Sequence, residues 1–375
     1  MKLTTAILLA ASLAPAATLS DSLKAGKAGL QSAGPIAFGP EGILFVGDTK
    51  GAAIFALDTG DRQPNKAAAP VDLEGLGGKI GALVGVTADQ ILVNDLAVNP
   101  ISKSIYLSVS RGKGPDAIPL IIRVEGGKVS EVTLENIRHA SVALPNAPVA
   151  GTDRKSQTQR QEAITDLAWS DGRVLVAGLS NEEFSSNLRT IPFPFRTVDQ
   201  GASIEIFHGA HGRFETNSPV RTFVPYEIEG ESYVLAAYTC TPLVKMPMSA
   251  LKSGAKVKGT TIAELGNGNR PLDMVVYQKD GKDFILMANS SRGIMKISTD
   301  NIEKAENIVK PVGGGATVGV EDRRVVVRLA SLVARRVVVD EVESAVVVLV
   351  PRVGLSRRRG PRILAPAHEH RRHLA

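Results

Sequence analysis

Three aspartates open apolar runs of the same make: Asp95-Leu96-Ala97-Val98-Asn99, Asp166-Leu167-Ala168-Trp169-Ser170 and Asp273-Met274-Val275-Val276-Tyr277, with Asn94 beside the first. Acidic and amide oxygens at one recurring position are the raw material of a hard-cation site, because Ca²⁺ accepts six to eight such oxygens at loose geometry. Carboxylates gathered without a cation or a guanidinium instead raise one another's pKa. Arg270 precedes Asp273 in a Gly- and Asn-rich stretch and is placed to neutralise such a group or to contact an anionic ligand. Three readings of the aspartates stand side by side: closing turns by accepting from backbone amides, holding a structural cation, or holding a catalytic metal.

Other reactive side chains are sparse. In His208-Gly209-Ala210-His211 two imidazoles stand three residues apart in a Gly-rich turn. They could share a metal, but the sequence identifies no third ligand, so solvated turn residues are expected. Cys240 is the only cysteine, which forbids an intrachain disulfide, and a small apolar packing role is expected for it. In Ile191-Pro192-Phe193-Pro194-Phe195-Arg196 the prolines forbid regular central pairing. Phe193 and Phe195 are therefore candidate ligand contacts, with edge packing as the alternative. The long stretch 139–163 reads as an irregular recognition loop. No Gly-x-Ser-x-Gly, P-loop, dinucleotide or Cys-x-x-Cys-His motif occurs in context.

The elements that would position these residues recur. Residues 43–58, 105–124, 174–193, 233–248 and 284–298 each read as an apolar run, a short polar turn and a second strand. The first strands are nearly unbroken apolar runs, which suits strands covered on both faces, whereas a solvated sheet would alternate. Eight to eleven residues separate each aspartate from its hairpin, and Pro35 stands where the first copy would carry its aspartate. The corresponding strand of the fourth copy is not evident. One strand plus a hairpin plus a further strand, such as 128–134, makes a four-stranded blade that cannot bury its own faces. Blades around a channel solve that problem, so the expected fold is an all-β propeller with the aspartates at one mouth.

The run Gly39-Pro40-Glu41-Gly42-Ile43-Leu44-Phe45-Val46-Gly47-Asp48, the run Asn94-Asp95-Leu96-Ala97-Val98-Asn99-Pro100 and the strand pattern over residues 31–310 resemble the six-bladed propeller superfamily of NHL-repeat, gluconolactonase-like and strictosidine-synthase-like proteins. The resemblance implies six blades, with the last incomplete or aberrant, and a divalent metal in the channel of the gluconolactonase-like branch. Asn94-Asp95 resembles that branch's Asn-Asp pair. Glu41 follows a Gly-Pro where the branch's metal-binding Glu precedes one, and Ala33 stands in that place here.

The ends differ from the middle. Lys2, the apolar run 3–13 and Ala14-Pro15-Ala16-Ala17 read as a secretory signal peptide over residues 1–16, giving a periplasmic or extracellular protein with no membrane span in the mature chain. Residues 31–320 form the expected propeller. Residues 321–375 hold 12 Arg, no Lys and 13 Val, the composition that a shifted reading frame in a GC-rich coding end would produce. Against 6 acidic residues those arginines account for the whole net charge of +6, since residues 1–320 carry 32 basic and 32 acidic groups. Overall charge is thus no argument for a nucleic-acid partner, and none is expected. The expectation is an exported, monomeric propeller that binds a small-molecule or protein ligand through loops at the channel mouth. The alternative is a Ca²⁺-type lactonase or esterase, in which the metal polarises a carbonyl and activates water.

Overall fold

The computed structural model describes residues 18–65, 73–240, 242–313 and 315–320, together with the backbone of 322–324. The expected signal peptide and nearly all of the Arg/Val-rich tail lie outside the described residues.

Five antiparallel sheets stand around a central channel. From the inside outward, blade one comprises Ile36–Phe38, Ile43–Asp48, Ala53–Asp58, Ile137–Ala143 and Lys24–Gly26. Blade two comprises Ile91–Val98, Ile105–Arg111, Ile118–Glu125 and Lys128–Val132. Blade three comprises Asp166–Ser170, Arg173–Leu179, Ser186–Pro192, Ala202–His208 and Arg213–Glu215, and Lys256–Lys258 adds to it in parallel along Ala202–His208. Blade four comprises Thr222–Ile228, Glu231–Ala237, Pro242–Pro247, Thr260–Leu265 and Thr317–Gly319. Blade five comprises Pro271–Lys279, Lys282–Asn289, Gly293–Ser298 and Asp322–Arg324.

The all-β propeller architecture is as the repeats imply, but the described residues form five blades, not six. The stretch near 335–350, where the repeat spacing places a sixth, lies outside the described residues. Blade order around the channel also departs from chain order, because neighbouring inner strands run two, one, three, four, five. The chain leaves blade one after Ala53–Asp58, builds blade two, and only then returns with Ile137–Ala143 to pair with Ala53–Asp58. At the far end, Asp322–Arg324 pairs with Gly293–Ser298, so the first residues of the compositionally distinct tail supply the outer strand of blade five.

The apolar runs are buried as their patterning demands. Every residue of Ile43–Asp48 is buried, as are the last six of Arg173–Leu179. Inner strands differ, since Ile91–Val98 and Asp166–Ser170 are mostly half-buried along the channel. Blades one and three are joined by aromatic packing: Phe45 stacks on Trp169 with ring centroids 5.4 Å apart, and Phe193 meets Phe45 edge-on at 5.1 Å. No helix among the described residues is long and apolar enough to cross a membrane.

Candidate functional site at the channel mouth

Register places the three aspartates at equivalent heights. Asp166 pairs with Ala177, Asp95 with Ser108 and Asp273 with Ala288, each on the inner strand of its blade. In blades two and five the ladder shifts immediately before the aspartate, at Val93/Asp95 and Pro271/Asp273, a bulge that re-aims the side chain. The strand not evident in the fourth repeat is Thr222–Ile228, where Thr222 pairs with Ala237 and takes the position of the aspartate. Pro35 takes it in blade one, with its carbonyl accepting from the Gly47 amide. Around the channel the position therefore reads Asp95, Pro35, Asp166, Thr222, Asp273.

The carboxylates act across blades. Asp95 Oδ1 accepts from the Leu96 amide of its own strand at 2.8 Å, and Oδ2 accepts from the Ile36 amide of blade one at 2.8 Å. Asp166 repeats the geometry one step on, accepting from Leu167 at 2.7 Å and from Phe223 of blade four at 2.8 Å. Asn94 serves the same seam, donating through Nδ2 to the Ala33 carbonyl at 2.7 Å and to Ser110 Oγ at 2.9 Å. The two aspartates thus satisfy amides of innermost strands, and Asn94 a carbonyl just ahead of one.

Electrostatics shows that the three converge. Burial, then the charge of Asp95, pushes Asp166 up to about 7, against the amides of Phe223 and Leu167 and the Thr222 hydroxyl. Burial raises Asp95, and burial together with the charges of Asp95 and Asp166 raises Asp273 well above its ordinary value. Four carboxylate oxygens of Asp95 and Asp166 are engaged by amides. That geometry fits amide stapling better than the open oxygen cage a shared Ca²⁺ requires.

Arg270 lies at the same mouth but does not answer the aspartates. Its pKa is lowered by the protein packed about it and by Arg221, with Glu162 opposing, and the aspartates have no part in the shift. Glu162 is committed to Arg221, Oε1 to Nη2 at 2.7 Å. Among the described residues the Arg270 guanidinium is held by no hydrogen bond or ion pair, and the residue is exposed. Arg221, and Glu162 at the end of the polar run within 139–163, belong to this rim. Nothing in their spacing marks them, because the segment carrying Glu162 is brought in by tertiary packing: a Cβ at Gly178 would meet the Ala163 carbonyl at 2.1 Å. The stretch 139–163 is not an irregular loop throughout, since it contains the helix Arg154–Gln161, capped by Asp153 on the amides of Lys155 and Ser156.

Phe193 and Phe195 are elsewhere. Pro192 pairs with Arg173, at the strand ends opposite the aspartates, and Phe193 is 6% exposed within the Phe45–Trp169 aromatic cluster. Phe195 packs on Phe193 with centroids 5.1 Å apart. Their contact is with blades one and three, so the edge-packing alternative describes them. Glu41 also lies away from the mouth, in the turn after the inner strand of blade one, where its carboxylate accepts from the Leu19 and Ser20 amides at 3.0 Å each.

No family's sequence profile matches the chain, and no curated protein matches it. Solved structures similar to it include an oxidoreductase described as a glucose dehydrogenase from Thermus thermophilus, at 12% identity over 74% of this chain and 82% of that one, with a TM-score of 0.27. The PQQ-bound aldose sugar dehydrogenase of Streptomyces coelicolor is similar at 13% identity over 80% and 83%, with a TM-score of 0.27. A streptogramin B lyase is similar at 12% identity over 74% and 84%, with a TM-score of 0.20. At these scores the likenesses carry no argument about site or activity, and the propeller assignment rests on the five sheets themselves.

Proposed function

We propose that the chain is an exported propeller that binds a small anionic ligand at the aspartate-bearing mouth, with Arg270 as its principal contact. The observation that carries this reading is an exposed guanidinium that, among the described residues, makes no hydrogen bond or ion pair, carried three residues before Asp273 and close enough to Arg221 to feel its charge. Arg presents a planar donor fork suited to carboxylate or phosphate oxygens. Export is proposed from the signal-like residues 1–16. The lactonase or esterase alternative gains no specific support, because both carboxylate oxygens of Asp95 and of Asp166, two of the three residues that would hold its metal, accept from amides.

Calorimetric titration with inorganic phosphate and with citrate tests the proposal. The parent protein binds at least one of them, and Arg270→Ala weakens that binding tenfold or more while leaving the unfolding temperature unchanged. Equal affinities for parent and variant, or no binding of either probe, would remove Arg270 from the role.

A further inference from the structure

His208 and His211 are not the solvated turn residues expected from the sequence. His208 closes Ala202–His208 at 2% exposure, and His211 follows in the turn to Arg213–Glu215. Glu215 takes hold of both rings: His208 Nδ1 lies 2.9 Å from Oε2 and His211 Nδ1 lies 2.7 Å from Oε1. With a proton on each Nδ1 donated to the carboxylate, the lone pair of each imidazole resides on Nε2. The rings lie with centroids 3.9 Å apart. His208 Nε2 is buried and has no hydrogen-bond partner among the described residues. A buried nitrogen left so is costly unless something accepts its lone pair.

A third donor comes from blade four. Cys240 sits in the turn between Glu231–Ala237 and Pro242–Pro247 at φ 62°, its amide donating to the Asn269 carbonyl at 2.7 Å. Ligand atoms of His208, His211 and Cys240 all lie within 4.8 Å of one another, the one such trio among the described residues. The packing role expected for Cys240 therefore gives way to a position facing two imidazoles.

We infer that His208, His211 and Cys240 bind a transition-metal ion of the zinc and copper class, with Glu215 as the carboxylate that orients both imidazoles. Two imidazoles and a thiolate favour such ions over the hard cations Ca²⁺ and Mg²⁺. A carboxylate behind each ligating histidine is the arrangement that fixes ring orientation and raises ligand basicity. On binding, the Cys240 thiol gives its proton to solvent and its sulfur pair to the metal. His211 is half-exposed and Cys240 half-buried, so the bound ion keeps a side open to water. The site lies on the seam of blades three and four and does not depend on the anion-binding role of Arg270.

The test uses the full chain, stripped with chelator and titrated with Co²⁺, Zn²⁺ and Cu²⁺ separately. The expected result is one Co²⁺ per chain with a thiolate-to-metal charge-transfer band in the near ultraviolet, displaced by Zn²⁺ or Cu²⁺. Cys240→Ser abolishes the band, His211→Ala lowers affinity at least tenfold, and Glu215→Gln weakens it about 10- to 100-fold. His139→Ala changes nothing. His211 and Cys240 are only partly buried, so their variants keep the fold, and circular dichroism checks this. Co²⁺ bound without a charge-transfer band, or Cys240→Ser and His211→Ala binding as the parent does, overturns the inference.

Discussion

Asp166→Asn separates the two roles a buried carboxyl at the mouth can play. In the folded chain Asp166 is pushed up to about 7 from an ordinary 3.8. The unfolded chain releases this proton near pH 4, whereas the folded chain holds it to about pH 7. Stability from holding the proton is thus complete below pH 4 and is lost as pH climbs through 7. About three pKa units at about 1.4 kcal/mol each bound the change at about 4 kcal/mol. Asparagine cannot titrate, keeps one carbonyl oxygen for the Leu167 or Phe223 amide, and leaves the other unpaired at a cost of about 1–3 kcal/mol. In urea unfolding, the parent should exceed the variant by the largest margin at pH 4.5. That margin should shrink by about 2–4 kcal/mol by pH 8. A margin independent of pH would refute the reasoning, because it would mean that Asp166 is ionised throughout and is neutralised by a cation or guanidinium.

Val176 and Leu286 are fully buried, and Asp at either should destabilise the fold by several kcal/mol in denaturant unfolding, since an unpaired charge is taken from water; normal thermal stability in both variants would contradict the core assignment. Phe193→Ala should cost about 3–5 kcal/mol of stability, yet leave phosphate or citrate affinity unchanged, whereas a loss of affinity in a folded variant would return Phe193 to the ligand. Added Ca²⁺ should leave the unfolding temperature unmoved. A gain of about 2.7 kcal/mol at 100 times the dissociation constant, erased by chelator and by Asp166→Asn, would instead make the trio a cation site.

The hairpin repeats were legible because burial on both faces writes itself as unbroken apolar runs, and the equivalence of Asp95, Asp166 and Asp273 because one repeat position implies one height. Thr222 was not legible: a threonine before Phe223-Val224-Pro225 has no acid to mark it, and Pro225 argues against a strand. Blade order was hidden as well, since nothing in Ile137–Ala143 says that its partner lies at Ala53–Asp58 rather than in the blade just finished. Cys240 could not be joined to His208 from sequence, because their approach depends on two blades meeting. The pairing of both imidazoles with Glu215 was within reach, at spacings of seven and four residues on one hairpin. For Phe193 and Phe195 the sequence leaves ligand contact and edge packing open, because prolines that interrupt a strand can also deliver aromatics into the gap between blades.

The passage of the chain through blade two before blade one is finished sets an order for synthesis. Until Ile137–Ala143 emerges, Ala53–Asp58 has one bare edge carrying unpaired backbone groups next to Ile54 and Phe55. Such an edge is a template for strand addition by another chain. Pairing Lys24 with His139 closes a loop of more than a hundred residues, which places blade one among the slow, non-local steps of folding. A nascent chain stalled after blade two would therefore present its most aggregation-prone surface near its beginning, not at the point where it stopped.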